Sequence, residues 1–459
     1  MTSKSMALSN SMKKLTFYQD VLNGFIKIQS VSSDSERKDE MVKAAQYLSN
    51  LLLEINVDHV KIIPTEGHPV VYAEKLSEVE NAKTILIYGH YDVQPEDPLE
   101  LWKNDPFSPV KIGDRLYGRG ASDMKGQVIA TLAAVDSINS SSEFPLNFKF
   151  IFEGEEEIGS PSLIKFVEEN KDLLACDVIL NPDAGMISPD CPTIVYGLRG
   201  LAYFELIIKG PDHDLHSGMY GGVIHNPAIV MADLISRMHD KNGRIKLPGF
   251  YDDVLPLEQD ERDQLNRLPV TEQDLLHQTS APALWGEKGY SHIERMGARP
   301  TLDINGMVSG FVGEGQKTII PSYAMAKISM RTVPNQDPDK IHQQLVAFIK
   351  DNIPETVDWE LNKFAGGWPS IADRNNSGVL SLSKAFENVW GVSPLFKREG
   401  GSISVVPAMQ TALKRDSILT GFGLPDDKIH SPNESLHIPT WEKGIRALIE
   451  FFYIYAGIG

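Results

Sequence analysis

The chain has 459 residues, with 44 Lys and Arg against 62 Asp and Glu and a formal net charge of −18. So acidic a chain argues against nucleic acid or an anionic membrane as partner, and its length, about three times a common domain, predicts two domains. Two cysteines, Cys176 and Cys191, give no disulfide framework, redox pair or cysteine zinc site. No apolar leader and no apolar run of roughly 18–20 residues stands out, so the expectation is a cytoplasmic protein.

Residues 14–55 read as helices, because KDEMVKAAQYLSNLLLEI spaces its apolar residues at the helical period. Residues 70–74 form a short strand. The uninterrupted run TILIY at 84–88 has the character of a strand buried on both faces. A helix follows over GQVIATLAAVDSI, then a strand over 147–152, a helix over PSLIKFVEENKDLL with Pro161 near its start, and a strand over 177–180. Strands alternating with helices predict an α/β domain with a largely parallel, mixed sheet flanked by helices. Near residue 197 the texture changes. LAYFELIIKG and AMAKISMRTV alternate as antiparallel strands do. Between them lie the helical segment NPAIVMADLISRM and a long polar stretch over roughly 240–300, rich in Asp, Pro and Gly; the helical segment DPDKIHQQLVAFIKDN follows. Residues 198–370 are expected to form an inserted α+β domain. Residues 371–459, with helices over SLSKAFENVW and WEKGIRALIEFFYIYA, are expected to rejoin residues 1–197.

Residues with metal-ligand chemistry gather where these strands end, the place where open α/β sheets bind ligands. His90 and Asp92, in GHYD, point to one side of an extended chain. A carboxylate there can take the second imidazole N–H and fix the tautomer; the pair reads equally well as a structural histidine. Asp123, in ASDMKG, reads as a ligand or as a helix N-cap. EGEEEIGS puts four carboxylates into five residues, which is either a solvated acidic turn or a cation site. In the second case one of Glu156 and Glu157 binds a metal, its neighbour holds a water, and Glu153 and Glu155 stay solvated. Asp183, after DVIL, is also a candidate turn residue, and His430, in DKIHSPNE, a candidate structural histidine. Taken together, His90, Asp123, Glu157, Asp183 and His430 supply two imidazoles and three carboxylates. With water, these saturate two zinc ions if one carboxylate bridges them, at a separation of roughly 3.5–4 Å.

In combination, GHYDVQP, GRGASDMKG, EGEEEIGS, NPDAG, DLHSGMYGG and IHSPNE resemble the two-zinc metallopeptidases that include carnosinase, aminoacylase and carboxypeptidase G. The likeness spans nearly the whole chain and is nearest to the carnosinase-like dipeptidases. It implies that residues 1–197 and 371–459 form the catalytic domain, that 198–370 form a lid and dimerisation domain, and that the protein is a homodimer. It also implies two zinc ions per subunit, or manganese or cobalt in their place, since these metals share ligand types. His90 and Asp183 would hold one ion and Glu157 and His430 the other, with Asp123 bridging. Asp92 would orient His90, and Glu156 would be the general base, the register of the triple glutamate being anchored on Gly159-Ser160. Asp rather than Glu at position 183 leans towards peptide substrates. His216, in DLHSG, matches a histidine that reaches into the partner's active site. Arg331, in KISMRTVP, matches the arginine that grips the substrate carboxylate, as a guanidinium fork can. Thr318, in KTIIP, and Glu399, Gly400, Gly401 and Ser402, in REGGS, match further substrate contacts, the glycines letting backbone approach the ligand. The implied activity is metal-dependent hydrolysis of the peptide bond in dipeptides or short peptides, with N-acyl-amino-acid deacylation as the alternative on the same metal centre.

Overall fold

The computed structural model describes residues 2–139, 144–364 and 366–458. They divide into two compact units, one comprising Met1–Tyr196, Ala372–Lys397 and Ile403–Gly459, the other Gly197–Ile371 and Arg398–Ser402. Among the described residues no helix is long and apolar enough to cross a membrane.

The first unit is built on a mixed sheet. Its strands run in the order His59–Ile63, Val70–Lys75, Leu146–Glu153, Lys83–His90, Val178–Asn181, Ser417–Leu419 and Thr193–Leu198. The centre is parallel: Lys83–His90 pairs in parallel with both Leu146–Glu153 and Val178–Asn181, and the latter with Ser417–Leu419. The outer pairings are antiparallel. Ile85, Leu86, Ile87 and Tyr88 are all fully buried, which is why this run is apolar without alternation. The helices Lys125–Asn139 and Ile438–Tyr455 pack on one another, and Trp441 of the second donates its indole N–H to the carbonyl of Gly126 at 2.7 Å. Gly126 itself admits no side chain, because a Cβ would stand 2.1 Å from the carbonyl oxygen of Ala121. Because the central strands are parallel, their carboxyl ends share one edge, and His90 pairs across it with Glu153.

The second unit is a four-stranded antiparallel sheet, in the order Thr301–Ser309, Tyr323–Thr332, Gly200–Lys209 and Asp358–Lys363. Alternate residues Ala202, Phe204, Leu206 and Ile208 join Ala324, Ala326, Ile328 and Met330 in one core with residues of the helices Pro227–Ser236 and Pro338–Asn352. The other strand face is only partly buried and mixes Glu205, Lys209, Lys327 and Arg331 with Tyr203, Ile207 and Met325, so the alternation in sequence is one of burial.

Some segments differ from the sequence expectation. The helix predicted over 161–174 ends at Glu169, where the Asn170 side-chain amide bonds the carbonyl of Phe166 at 2.9 Å. The polar stretch contains three short helices, Gln259–Leu265, Glu272–Thr279 and His292–Gly297. Two of them start in capping boxes, Thr271 with Asp274 and Ser291 with Glu294. The buried pair Arg299–Glu287 (2.8 Å) helps hold this segment. Replacing Phe204 with Ala is expected to destabilise the second unit by about 3–5 kcal/mol, read as a lower urea midpoint by tryptophan fluorescence.

Candidate metal centre

His90 ends its strand fully buried. Its Nδ1 lies 3.0 Å from the main-chain oxygen of Asp92 and 3.3 Å from Asp92 Oδ1. With its proton on Nδ1, the ring presents the Nε2 lone pair to whatever lies beyond. There stand Asp123 Oδ1 at 3.2 Å and Asp183 Oδ1 at 3.7 Å. Asp92 does more than face the histidine. Its Oδ1 and Oδ2 accept the main-chain N–H groups of Glu156 (3.2 Å) and Glu157 (3.1 Å), tying the acidic loop to the histidine strand. Asp183 follows the strand Val178–Asn181, and the turn there is made by Asn181, whose Oδ1 accepts the Asp183 N–H at 2.9 Å. The Asp183 carboxylate is thereby left for the site. Asp123 likewise turns both oxygens to histidines, Oδ1 to His90 and Oδ2 to His430 Nε2 at 3.0 Å. The Asp123–Met124 peptide is cis.

His430 sits half-exposed on a loop where Lys428, His430 and Asn433 all have left-handed backbone. Its Nε2 also lies 3.2 Å from Glu157 Oε2, an oxygen that accepts from Gln94 Nε2 at 2.7 Å. The structure thus forms two three-donor groups, His90–Asp123–Asp183 and Asp123–Glu157–His430, each with its donor atoms within 4.8 Å of one another. Donors bound at 2.0–2.1 Å around a tetrahedral ion sit about 3.3 Å apart, and the histidine–carboxylate separations here run from 3.0 to 3.7 Å. Mixed imidazole and carboxylate donors suit borderline divalent metals. The residues fit a pair of cations sharing Asp123.

The electrostatics show how crowded the negative charge is. Burial pulls His90 down, but Asp123, Asp183 and Asp92 lift it well above the ordinary imidazole range. Burial raises Asp123, yet His430 and His90 hold it below the usual carboxylate range. His430 is lifted to about 10 by Asp123 and Glu157. Burial pushes Glu156 well up, opposed by His90 and reinforced by Asp183, Glu157 and Asp123. Burial also raises Glu157 and Asp183.

The other two acids of EGEEEIGS are not solvated, contrary to expectation: Glu153 is 1% and Glu155 3% exposed. Glu153 Oε1 accepts from the Tyr88 hydroxyl and from Ser160 Oγ, both at 2.8 Å, and burial, then Asp92, pushes it up to about 8. Glu155 accepts the main-chain N–H groups of His68 (2.8 Å) and Ser162 (2.9 Å). Gln94 and Glu434 escaped the sequence reading although both lie inside the quoted motifs; Glu434 Oε1 accepts the main-chain N–H of Asp123 at 3.0 Å.

The remaining site candidates belong to the second unit and gather in two groups. His216 pairs with Ile319 in a two-residue ladder, and Ser217 N donates to Thr318 O at 3.0 Å, so His216 and Thr318 are neighbours. His216 Nδ1 accepts the Gly218 N–H at 3.0 Å. Arg331 Nη1 donates to Ser402 Oγ (3.2 Å), which donates to the main-chain oxygen of Arg199 (2.6 Å). Arg199 in turn donates through Nε to Gly400 O and through its main-chain N to Glu399 O, both at 3.2 Å. Burial, then Arg331, lowers Arg199 to about 10. A Cβ on Gly400 would meet Arg199 Nη2 at 2.8 Å, whereas Gly401 has nothing within 4 Å. Arg199 and Arg331 line one cavity of about 530 Å³ with Trp285 and Met296. Arg199 was not singled out in sequence, because its partners lie some 200 residues away.

Comparison with known proteins gives the geometry its context. Residues 86–453 match the peptidase family M20/M25/M40. Over 452 residues the chain is 32% identical to the Cys-Gly metallodipeptidase DUG1 of Candida albicans, covering 94% of this chain and 93% of that one. Over 390 residues it is 31% identical to the human beta-Ala-His dipeptidase, covering 84% and 77%. Among solved structures, an M20 family metallo-carboxypeptidase from Sulfolobus solfataricus superposes with a TM-score of 0.84 at 33% identity, covering 96% and 99%. Extending over most of its length, these matches show that the chain belongs to peptidase family M20/M25/M40, a family of metal-dependent hydrolases.

Proposed function

We propose that this protein is a dinuclear metallodipeptidase that hydrolyses the peptide bond of dipeptides and other short peptides. The observation that carries the reading is Asp123, whose two oxygens face imidazoles from separate segments, one of them 307 residues distant. His90 and Asp183 would hold one divalent cation and Glu157 and His430 the other, with Asp123 available to both; zinc is the first choice, manganese and cobalt the next. When bound, the cations supply Lewis acidity, lowering the pKa of a water towards about 7 and polarising the scissile carbonyl.

The chain's own residues do the rest. Glu156, placed by the bond from its N–H to Asp92, takes a proton from the attacking water on its carboxylate and hands it to the departing amine. Burial raises its basicity, which suits that task. His216 has Nδ1 engaged by Gly218, so Nε2 carries the proton and can donate to the oxyanion of the tetrahedral species; such a donor is worth about 3–4 kcal/mol. Arg331, steadied by Ser402, grips the substrate's terminal carboxylate, with Thr318, Glu399, Gly400 and Gly401 completing the contact. A grip on that terminus limits the enzyme to short substrates. The lid unit exposes Met219 (71%) and Val223 (77%) close in sequence to His216, which supports a homodimer in which His216 serves the partner's site. Free Cys176 and Cys191 accord with a reducing, cytoplasmic setting. Cys-Gly and beta-Ala-His, named for the relatives, are the first substrates to try.

A panel of these dipeptides against N-acetyl amino acids tests the reading. Turnover of the dipeptides, abolished by chelation and restored by Zn²⁺, is expected; turnover of the acylated compounds alone would make the enzyme a deacylase. Glu156→Ala is expected to retain its metals and lose about 10²–10⁴-fold in kcat. A metal-loaded variant with ordinary turnover would remove Glu156 from the mechanism. Proton linkage supplies another check. In the metal-free chain His430 titrates near 10 rather than at its ordinary value of 6.5, so at pH 7 it carries a proton that a cation must displace. Zn²⁺ uptake at pH 7 is therefore expected to release protons, and affinity to rise with pH until about 10, where His430 no longer carries the proton. Calorimetry in buffers of differing ionisation enthalpy measures this, and uptake without release contradicts it.

A further inference from the structure

His90 is the last residue of its strand, and Asp183 stands two residues beyond the adjacent parallel strand with its N–H held by Asn181 Oδ1 at 2.9 Å, so both stay close to the sheet. Nothing so stiff underlies the other donor group. Asp123 lies on the loop before the helix Lys125–Asn139, and His430 on a half-exposed loop with left-handed residues. Yet their side chains stand 3.0 Å apart.

One buried side chain connects the two loops. Glu434, four residues after His430, has no solvent exposure. Its Oε1 accepts the main-chain N–H groups of Ser122 and Asp123, each at 3.0 Å. Its Oε2 accepts the N–H of Gly120 and Nη1 of Arg119, each at 2.9 Å. Its main-chain oxygen accepts the N–H of Gly118 at 3.0 Å. Arg119 is buried as well, and Nη2 continues to the carbonyl of Pro95 at 3.0 Å. The same short segment is pinned at its other end by Asp427, which accepts from Ser122 Oγ and Arg115 Nη1, each at 2.7 Å. Neighbouring Asn433 clasps a third loop, accepting from Lys103 N and donating to Leu101 O, each at 2.8 Å. The His430 loop is thus seated on the Asp123 loop by residues on both sides of the histidine.

We propose that Glu434 is a positioning residue that sets the second cation position, the one between Asp123 and His430, by binding the main chain of the Asp123 loop from within the His430 loop. It touches neither cation nor substrate. Four donors converge on two oxygens, so the arrangement requires a carboxylate. An amide would turn an NH₂ group towards two of the donors and leave the buried Arg119 without its counter-charge. The loss falls mainly on the second position, whose Asp123 and His430 both come from the linked loops, whereas the first draws only Asp123 from them.

The inference rests on the two-cation reading of the site, and Zn²⁺ titration of the metal-free full-length protein separates the two. Wild type taking up fewer than two equivalents defeats that reading. Given two equivalents, Glu434→Gln is expected to weaken the second by about 10–100-fold, the usual effect of removing an outer partner of a ligand, while the first changes far less. kcat should fall with KM held. Glu287→Gln, which breaks a buried ion pair in the other unit, is the control: it should lower the thermal midpoint and leave both equivalents unchanged. If Glu434→Gln does not accumulate folded, Glu434→Asp keeps the charge, retracts it by one methylene, and should show the same selective loss. Two unaltered affinities in either folded variant overturn the proposal, as does an equal weakening of both equivalents.

Discussion

Five carboxyl groups, from Asp92, Asp123, Glu156, Glu157 and Asp183, share the carboxyl edge of the central strands with two imidazoles. Unit charges 4 Å apart repel by about 4 kcal/mol at an effective dielectric constant of 20. Stacking several such pairs in a largely buried place is untenable unless positive charge arrives with them. Proton affinity registers the demand: burial shifts Glu156, Glu157 and Asp183 upwards, and the neighbouring carboxylates lift both histidines. Cations meet the same demand with ions whose geometry the donors already approximate. The raised proton affinities and the donor spacing are two faces of one constraint.

That constraint explains how the surroundings are distributed. The strand Lys83–His90 delivers His90 at its end, and Asp183 stands two residues beyond the adjacent parallel strand. Their apolar interiors need nothing from the site. The loops need support, and every support is itself a carboxylate or amide with little freedom: Asp92 under the Glu156 and Glu157 amides, Gln94 on Glu157, Glu434 under the Asp123 loop. Acidic residues here fall into two populations. One faces the histidines; the other, with Asp92, Glu155 and Glu434 in it, is held by main-chain N–H groups.

That division is also where the sequence stopped being legible. Uninterrupted TILIY and alternating LAYFELIIKG gave away a buried parallel strand and a half-buried antiparallel one, because burial on one or two faces writes directly into hydrophobic pattern. The helix Ser3–Lys13 went unread, since SKSMALSNSMK carries few large apolar residues. The strand His59–Ile63 was also missed, lying at a sheet edge where half its residues face water. Strand-end placement drew attention to His90, Asp123, Glu157 and Asp183, and the folded chain puts these side chains together with His430. A run of glutamates, however, records how many charges there are and nothing of their partners. Glu153 finds Tyr88, 65 residues back, and Glu155 finds the amide of His68, 87 residues back. Arg199 and Glu434 act through contacts 201 and 311 residues away. Local pattern cannot reveal such partners.

The triple glutamate raises a question that only three-dimensional placement addresses, namely which acid faces the reaction. Sequence alone leaves the register open by one position. The backbone breaks the tie through hydrogen bonds. Asp92 accepts the N–H groups of Glu156 and Glu157, which ties the short helical turn Glu156–Ile158 to the residue that also faces His90 Nδ1. Glu157 then reaches His430, while Glu155, one residue before the turn, has Oε1 and Oε2 occupied by the amides of His68 and Ser162. A carboxylate holding two main-chain amides is committed to the backbone, and turning it to another task would leave those amides without a partner. Glu156 is under the opposite influence, raised by burial and by neighbouring carboxylates. Of the three, it alone combines proximity to the donor groups with a carboxylate given over to neither ligation nor structure, and this supports it as the base.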